Sequence, residues 1–218
     1  MLHSLKIDSV RLSFDGKLVL SSAYINSETG KISALLGRNG TGKSCLFRVA
    51  IGVLKTEDVS VSIDSASYFY AKEKSRLITY LPQFNFIPRR LTLERILKNF
   101  DIPKEKLLSN FPHFSASLGK KMFDFSGGER RLIEVFVIIF SNSLFSILDE
   151  PFSELMPLHI EKIKEILLNE KQRKGFIVTD HLYKQVMDIS DDVYVLSNHN
   201  VYKIREVEEI EKLGYARL

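Results

Sequence analysis

The run GRNGTGKS at residues 37–44 has the spacing G-x-x-x-x-G-K-[ST], that of a loop which wraps phosphate. Gly37, Gly40 and Gly42, with Arg38, Asn39 and Thr41 between them, let the backbone curl until several N–H groups point at one anion. Lys43 is placed to reach the β- and γ-phosphates of a nucleotide, and the Ser44 hydroxyl to ligate Mg2+. Cys45 follows as a small residue of the next helix. A second run, LFSILDE at 144–150, drives an apolar strand into two carboxylates. Asp149 is placed to hold Mg2+, directly or through water, and Glu150 to orient and deprotonate an attacking water. In a third run, FSGGER at 125–130, Ser126, Gly127, Gly128 and Glu129 open a helix and offer a second backbone anion site. Alone that run is no more than a helix cap; its position between the other two gives it weight. Three single residues complete the set. Gln83 follows a strand and could ligate Mg2+ or the attacking water. His181 ends another strand, where it would meet the phosphates. Phe14 could stack on an adenine ring. Taken singly, each has a plain reading: polar surface, a structural histidine, a core phenylalanine.

These groups need elements to hold them. Residues 4–14 and 18–25 alternate as strands around the turn signal Asp15-Gly16. Residues 31–36 read as a short apolar strand entering the glycine-rich loop, and Leu46, Val49, Ala50 and Val53 give the helix that leaves it. Residues 59–70 and 76–81 read as further β structure. Residues 84–125 are rich in Phe, carry three prolines and suggest short helices near 92–100 and 103–109, a small helical insertion. A helix starts after Gly128. Strands at 144–148, 176–179 and 193–197 then alternate with helices at 157–170 and 182–189. A turn at Asn198, His199 and Asn200 leads to a strand at 201–205 and a helix at 206–213. Such alternation predicts an α/β fold with a mainly parallel core sheet, an N-terminal antiparallel β part and a helical part. The division expected is one domain over 1–218, with 1–83 and 126–218 as core and 84–125 as the helical subdomain.

Composition excludes several other classes. The chain has 218 residues, 44% of them hydrophobic, and a net charge of +4, which suits a globular protein with a real core. One cysteine cannot form an internal disulfide and points to a reducing compartment. The apolar run at 135–140 is far short of the roughly 20 residues a bilayer span requires. The N-terminus shows no basic-then-apolar signal. The basic pairs Arg89 and Arg90, Lys120 and Lys121, and Arg130 and Arg131, with Lys171, Arg173 and Lys174, are too short to mark a nucleic-acid site and read as solvated helix faces.

Taken in order, the motifs resemble those of the ATPase subunit of ATP-binding cassette (ABC) transporters, over nearly the whole length. Phe14 matches the adenine-stacking aromatic, GRNGTGKS the Walker A, Gln83 in YLPQ the Q-loop, FSGGER the signature, LFSILDEP the Walker B and His181 in VTDH the switch histidine. The resemblance implies a P-loop NTPase fold, ATP and Mg2+ as ligands, and hydrolysis by Glu150, His181 and Gln83. It also implies a head-to-tail pair with a second ABC ATPase subunit, identical or not, in which Ser126 and Gly128 face the partner's γ-phosphate. A transmembrane permease subunit, touched by the helical insertion, would make the protein cytoplasmic and peripheral at the inner face of the membrane; no nucleic acid is implied. YLPQ followed by RRLTLERIL, then SGGERR, DEPF and VTDH, look like the lipopolysaccharide-export ATPase and its branched-chain amino-acid relatives. Two positions depart from the pattern. Phe125 stands where Leu is usual, and Ser153-Glu154-Leu155-Met156 lacks the Asp of the usual S-x-L-D. Two other readings accompany this one: a soluble ABC protein acting on a scaffold, as in iron–sulfur cluster assembly, and a regulatory module that holds ATP but turns it over poorly, which Met156 alone favours.

Overall fold

The protein is described by a computed structural model covering residues 2–56, 58–68, 71–74, 76–206 and 208–213. β1 (Ser4–Phe14) and β2 (Lys17–Glu28) form a hairpin whose turn residues, Asp15 and Gly16, take φ of 48° and 77°. β3 (Ile32–Leu36) leads to α1 (Lys43–Ala50), then come β4 (Asp58–Ile63), β5 (Ala66–Ser67), α2 (Ala71–Lys74) and β6 (Ile78–Leu81). α3 (Leu93–Asn99), α4 (Lys104–Asn110) and 3-10 turns at Pro112–Ser117 and Met122–Asp124 fill the middle. The remainder is α5 (Gly127–Phe140), β7 (Phe145–Asp149), α6 (Pro157–Glu170), β8 (Gly175–Thr179), α7 (Tyr183–Met187), β9 (Asp192–Ser197), β10 (Asn200–Ile204) and α8 (Glu208–Lys212).

Two sheets result, the antiparallel β2-β1-β4-β5 and the six-stranded β10-β9-β3-β8-β7-β6. The second is parallel except for the β9–β10 hairpin. Every residue of β3, β7 and β8 is buried, as expected of strands covered on both faces. α1 packs between the two sheets, in a core with Leu5, Ile25, Phe145 and Tyr194. α5, α3 and α6 share the other core with Leu81, Leu148 and Val178. Because β3, β6, β7 and β8 run the same way, the loops after them leave at one sheet edge, where ligands of open parallel sheets sit. Those loops carry Gly37, Gln83, Glu150 and His181.

The α/β alternation emerges as read, with α6 at the expected residues. The strand expected over 59–70 is two, β4 and β5; residues 69 and 70 lie outside the described ones, as does 207 in the helix expected over 206–213. Backbone pairing between Leu91 and Met122 and between Thr92 and Lys121 sets the basic pairs of 89–90 and 120–121 side by side, exposed as read but in loop segments rather than on helix faces. Two other basic residues correct the sequence reading. Arg131 is 2% exposed and Lys174 is fully buried, so neither belongs to a solvated face.

Lys174 lies just before β8, and its Nζ donates to the carbonyls of Ile138 (3.3 Å), Ile139 (3.3 Å) and Ser141 (2.8 Å) and to Ser141 Oγ (3.0 Å). It thereby closes the C-terminal end of α5, whose last carbonyls have no partner within the helix. Burial pulls its pKa down to about 7. Lys174→Ala removes the buried ammonium and its charge-assisted bonds from these acceptors, which keep only their other donors, such as Ser141 Oγ on Ile138 O and Ser143 N on Ser141 O. The expected loss is about 2–3 kcal/mol, read as a drop of roughly 5–10 °C in a thermal melt.

Candidate functional site

Gly42 is the hinge of the glycine-rich loop. Its φ is 108°, and a Cβ there would lie 2.8 Å from Val19 Cγ1. The loop closes on its own lysine: Lys43 Nζ donates to the carbonyl of Gly37 at 2.6 Å and of Arg38 at 3.2 Å. Burial lowers the Lys43 pKa, and the charges of Asp149 and Glu150 oppose that shift.

Asp149 ends β7, fully buried. At Oδ2 it accepts from Tyr80 Oη at 2.9 Å, while Gln83 Nε2 is 3.5 Å from Oδ1 and the Ser44 hydroxyl faces it. Burial raises its pKa, and the Ser44 and Tyr80 bonds and the Lys43 charge counter the rise. A hydroxyl and a carboxylate, the oxygen groups hard dications take, thus converge beside a side-chain amide that turns its nitrogen to both carboxylates, Asp149 and Glu150.

Glu150 sits one residue on, with a left-handed φ of 55° that swings its side chain out of strand register. Its N–H donates to Thr179 O at 2.8 Å. Oε1 is met by Gln83 Nε2 and His181 Nε2, each at 2.7 Å, and Oε2 accepts from Ser153 Oγ at 3.2 Å. One carboxylate thus gathers the ends of β6, β7 and β8. A cleft of about 480 Å³ opens in front of it, lined by Phe14, Val19, Asn39, Gly40, Gly42, Lys43, Ser44, Cys45, Gln83, Glu150 and His181. Phe14 is 46% exposed at its mouth.

Of the residues picked from the sequence, Gly37, Arg38, Thr41 and the buried Asp149 do not line this cleft, and Thr41 Oγ1 instead donates to Arg38 O at 2.9 Å. Ser126, Gly127, Gly128 and Glu129 also lie outside it, on the first turn of α5. Ser126 caps that helix: its Oγ accepts from Glu129 N at 3.2 Å, and Glu129 Oε2 accepts from Ser126 N at 2.8 Å. This reciprocal box holds the Glu129 carboxyl below its usual range. Gly128 is required by close approach, since a Cβ would meet Glu154 O at 2.8 Å. The loop after β7 is therefore packed on the first turn of α5.

Besides Tyr80 on Asp149, Arg131 and Asp180 escaped the sequence reading. Arg131 donates through NH1 to Pro82 O (2.7 Å) and through NH2 to the carbonyls of Asp149 and Glu150 (both 2.8 Å). Asp180, 3% exposed, accepts from Phe152 N (2.8 Å) in the loop after β7 and from Leu182 N (2.9 Å) just past His181. The only sequence signals were a second Arg in FSGGERR and the Asp of VTDH.

A glycine-rich loop between a buried strand and a helix, a strand-end carboxylate beneath it and a second carboxylate facing the cleft define a P-loop nucleoside triphosphatase. A family model described as ABC transporter matches residues 20–153. The chain belongs to the ABC transporter family, as an ATP-binding subunit. It is 27% identical to the lipopolysaccharide export system ATP-binding protein LptB of Haemophilus influenzae, over 94% of this chain and 92% of that one. It is 29% identical to LptB of Escherichia coli (strain K12), over 85% and 83%. In fold it is similar to a solved ATP-binding subunit of an ABC transporter, with a TM-score of 0.84 at 23% identity, covering 97% of this chain and 93% of that one. A nucleotide-free ATP-binding cassette matches with a TM-score of 0.77 at 21% identity, covering 97% and 94%.

Met156 occupies the N-cap of α6 with φ −70° and ψ 151°, but a thioether cannot accept from the helix N–H groups. It is 61% exposed, so a carboxylate fits without burial. Met156→Asp is expected to stabilise the fold by about 1 kcal/mol, a rise of roughly 2–4 °C in the melting temperature, with turnover equal or higher.

Proposed function

We propose that the chain binds ATP with Mg2+ in the cleft, hydrolyses it at Glu150, and drives a separate membrane partner as one of two paired ATPase subunits. The observation that carries this is the single Glu150 carboxylate shared by Gln83, His181 and Ser153, in one cleft with Lys43 and with Asp149 buried behind it. In this reading residues 1–83 and 126–218 form the core and 84–125 the helical subdomain.

Phe14 stacks on the base at the mouth of the cleft. Lys43, now bonded to two carbonyls of its own loop, exchanges them for phosphate oxygens, and the loop N–H groups add their dipoles. Ser44, Asp149 and Gln83 are the groups that would hold Mg2+, whose charge offsets the charge developing on the phosphate oxygens. Glu150 is the general base for the attacking water. Both donors on its Oε1 must yield room to that water, so Gln83 and His181 turn from gripping the base to orienting the nucleophile. The complete Lys43, Asp149, Glu150 and His181 set supports turnover over a purely regulatory module.

The first turn of α5 holds a capped helix N-terminus outside its own cleft, which supports its use on a nucleotide held by a second subunit. Beside Gln83 lies an apolar groove of about 580 Å³, lined by Ile51, Val53, Tyr80, Phe84, Phe86 and Phe100. Phe84 there is 71% exposed, and this surface suits the transmembrane permease subunit. Among the described residues no helix is long and apolar enough to cross a membrane, which supports peripheral attachment through that partner. The relatives named for lipopolysaccharide export align over 92% and 83% of their own lengths, which supports a transport subunit's role for this chain.

Phosphate release from ATP by the purified chain tests this reading. Specific activity is expected to rise with protein concentration, as a paired site requires, and to vanish when EDTA removes Mg2+. Nucleotide binding without phosphate release at any concentration, alone or with the membrane partner, would contradict it.

A further inference from the structure

The Tyr80 hydroxyl is not part of the motif reading, yet it touches the buried carboxylate on which the site rests. Tyr80 lies on β6, the edge strand of the parallel sheet, opposite Ile147 of β7 and two residues short of Asp149 in that register. Its Oη donates to Asp149 Oδ2 at 2.9 Å. Its ring lines the apolar groove with Arg48, Ile51, Thr79, Phe84 and Phe86. One side chain therefore reaches from the groove to the carboxylate.

A carboxylate has two equivalent oxygens and turns about its Cβ–Cγ bond unless each is committed. At Asp149 the phenol commits Oδ2, and the Gln83 amide lies toward Oδ1. Asp149 is fully buried, so no bulk water replaces a missing donor. Mg2+ demands near-ideal octahedral geometry, so a ligand free to turn is a poorer ligand even where it is more basic. Partners that orient a metal ligand are worth a large factor in metal affinity.

We propose that Tyr80 is a positioning residue for Asp149: its hydroxyl fixes the carboxylate in the rotation that presents Oδ1 to Mg2+. The inference rests on the reading of Asp149 as the Mg2+-holding group.

Tyr80→Phe deletes only the hydroxyl and keeps the ring in the groove wall, so a groove effect is separated from the hydrogen bond. The readout is binding of a fluorescent ATP analogue to the full chain, titrated with Mg2+ and repeated in EDTA. The Mg2+ concentration at half-saturation is expected to rise about tenfold, with metal-free analogue affinity unchanged. An unchanged or lower Mg2+ midpoint overturns the proposal. Asp149→Asn is the control. It should lose the Mg2+ dependence altogether, and if it keeps the wild-type dependence, the assignment of Asp149 itself has failed. A second readout does not rely on a variant that folds: 3-fluorotyrosine placed at position 80 of the otherwise native chain. Its fluorine resonance should move as Mg2+ is added with nucleotide present, and a resonance that stays still overturns the proposal.

Discussion

A buried guanidinium fixes how the pieces of the site meet. Arg131 belongs to the helix that opens with Ser126, but its three hydrogen bonds go to Pro82, Asp149 and Glu150. These acceptors are the backbone just before Gln83 and the two carboxylate residues themselves. Taking an arginine out of water is costly, and the cost is offset by bonds to the planar fork and by opposite charges around it. Both terminal nitrogens are bonded while Nε has no partner among the described residues; burial lowers the Arg131 pKa, and the charges of Glu134, Asp149, Asp180 and Glu154 oppose that shift. Glu134, fully buried, accepts from the backbone N–H of Phe86 and Ile87 and so pins the segment that follows Gln83. The strand end bearing Glu150, the approach to Gln83 and the helix that opens with Ser126 cannot shift independently while this arrangement stands.

The same logic divides the molecule into two faces. The parallel sheet delivers Lys43, Gln83, Glu150 and His181 to one cleft because its strands end together. The capped first turn of α5 lies outside that cleft, against Glu154 in the loop that follows Glu150. In the proposed reading such a chain carries one nucleotide cleft and one separate helix end for the partner's nucleotide. That is the division of parts a paired ATPase requires, and it makes the loop from Glu150 to Met156 the natural channel between the two.

Much of this was legible in the sequence where local chemistry decides the structure. The glycine spacing of 37–44 needs a strand before it and a helix after it, and β3 and α1 are there. Asp149 and Glu150 end an apolar run, so a buried strand had to deliver them. What stayed hidden depends on which distant group a side chain meets. Arg130 and Arg131 read alike, but helical rotation turns the second into the core. Lys174 looked like the last of a basic surface run and instead closes a helix more than thirty residues upstream. Tyr80 read as a strand residue because nothing local shows that its hydroxyl reaches the neighbouring strand's carboxylate. Short elements such as β5 and α2 left too little pattern to read.

The account turns on Glu150 as the base, because Gln83, His181 and Ser153 are all arranged around that one carboxylate. The most direct measurement compares phosphate release and ATP binding in the wild type and in Glu150→Gln, which keeps the shape and removes the base. ATP binding is expected to persist, with the chain accumulating as an ATP-bound dimer, while phosphate release falls by at least about a hundredfold. Phosphate release at the wild-type rate in Glu150→Gln would contradict the account.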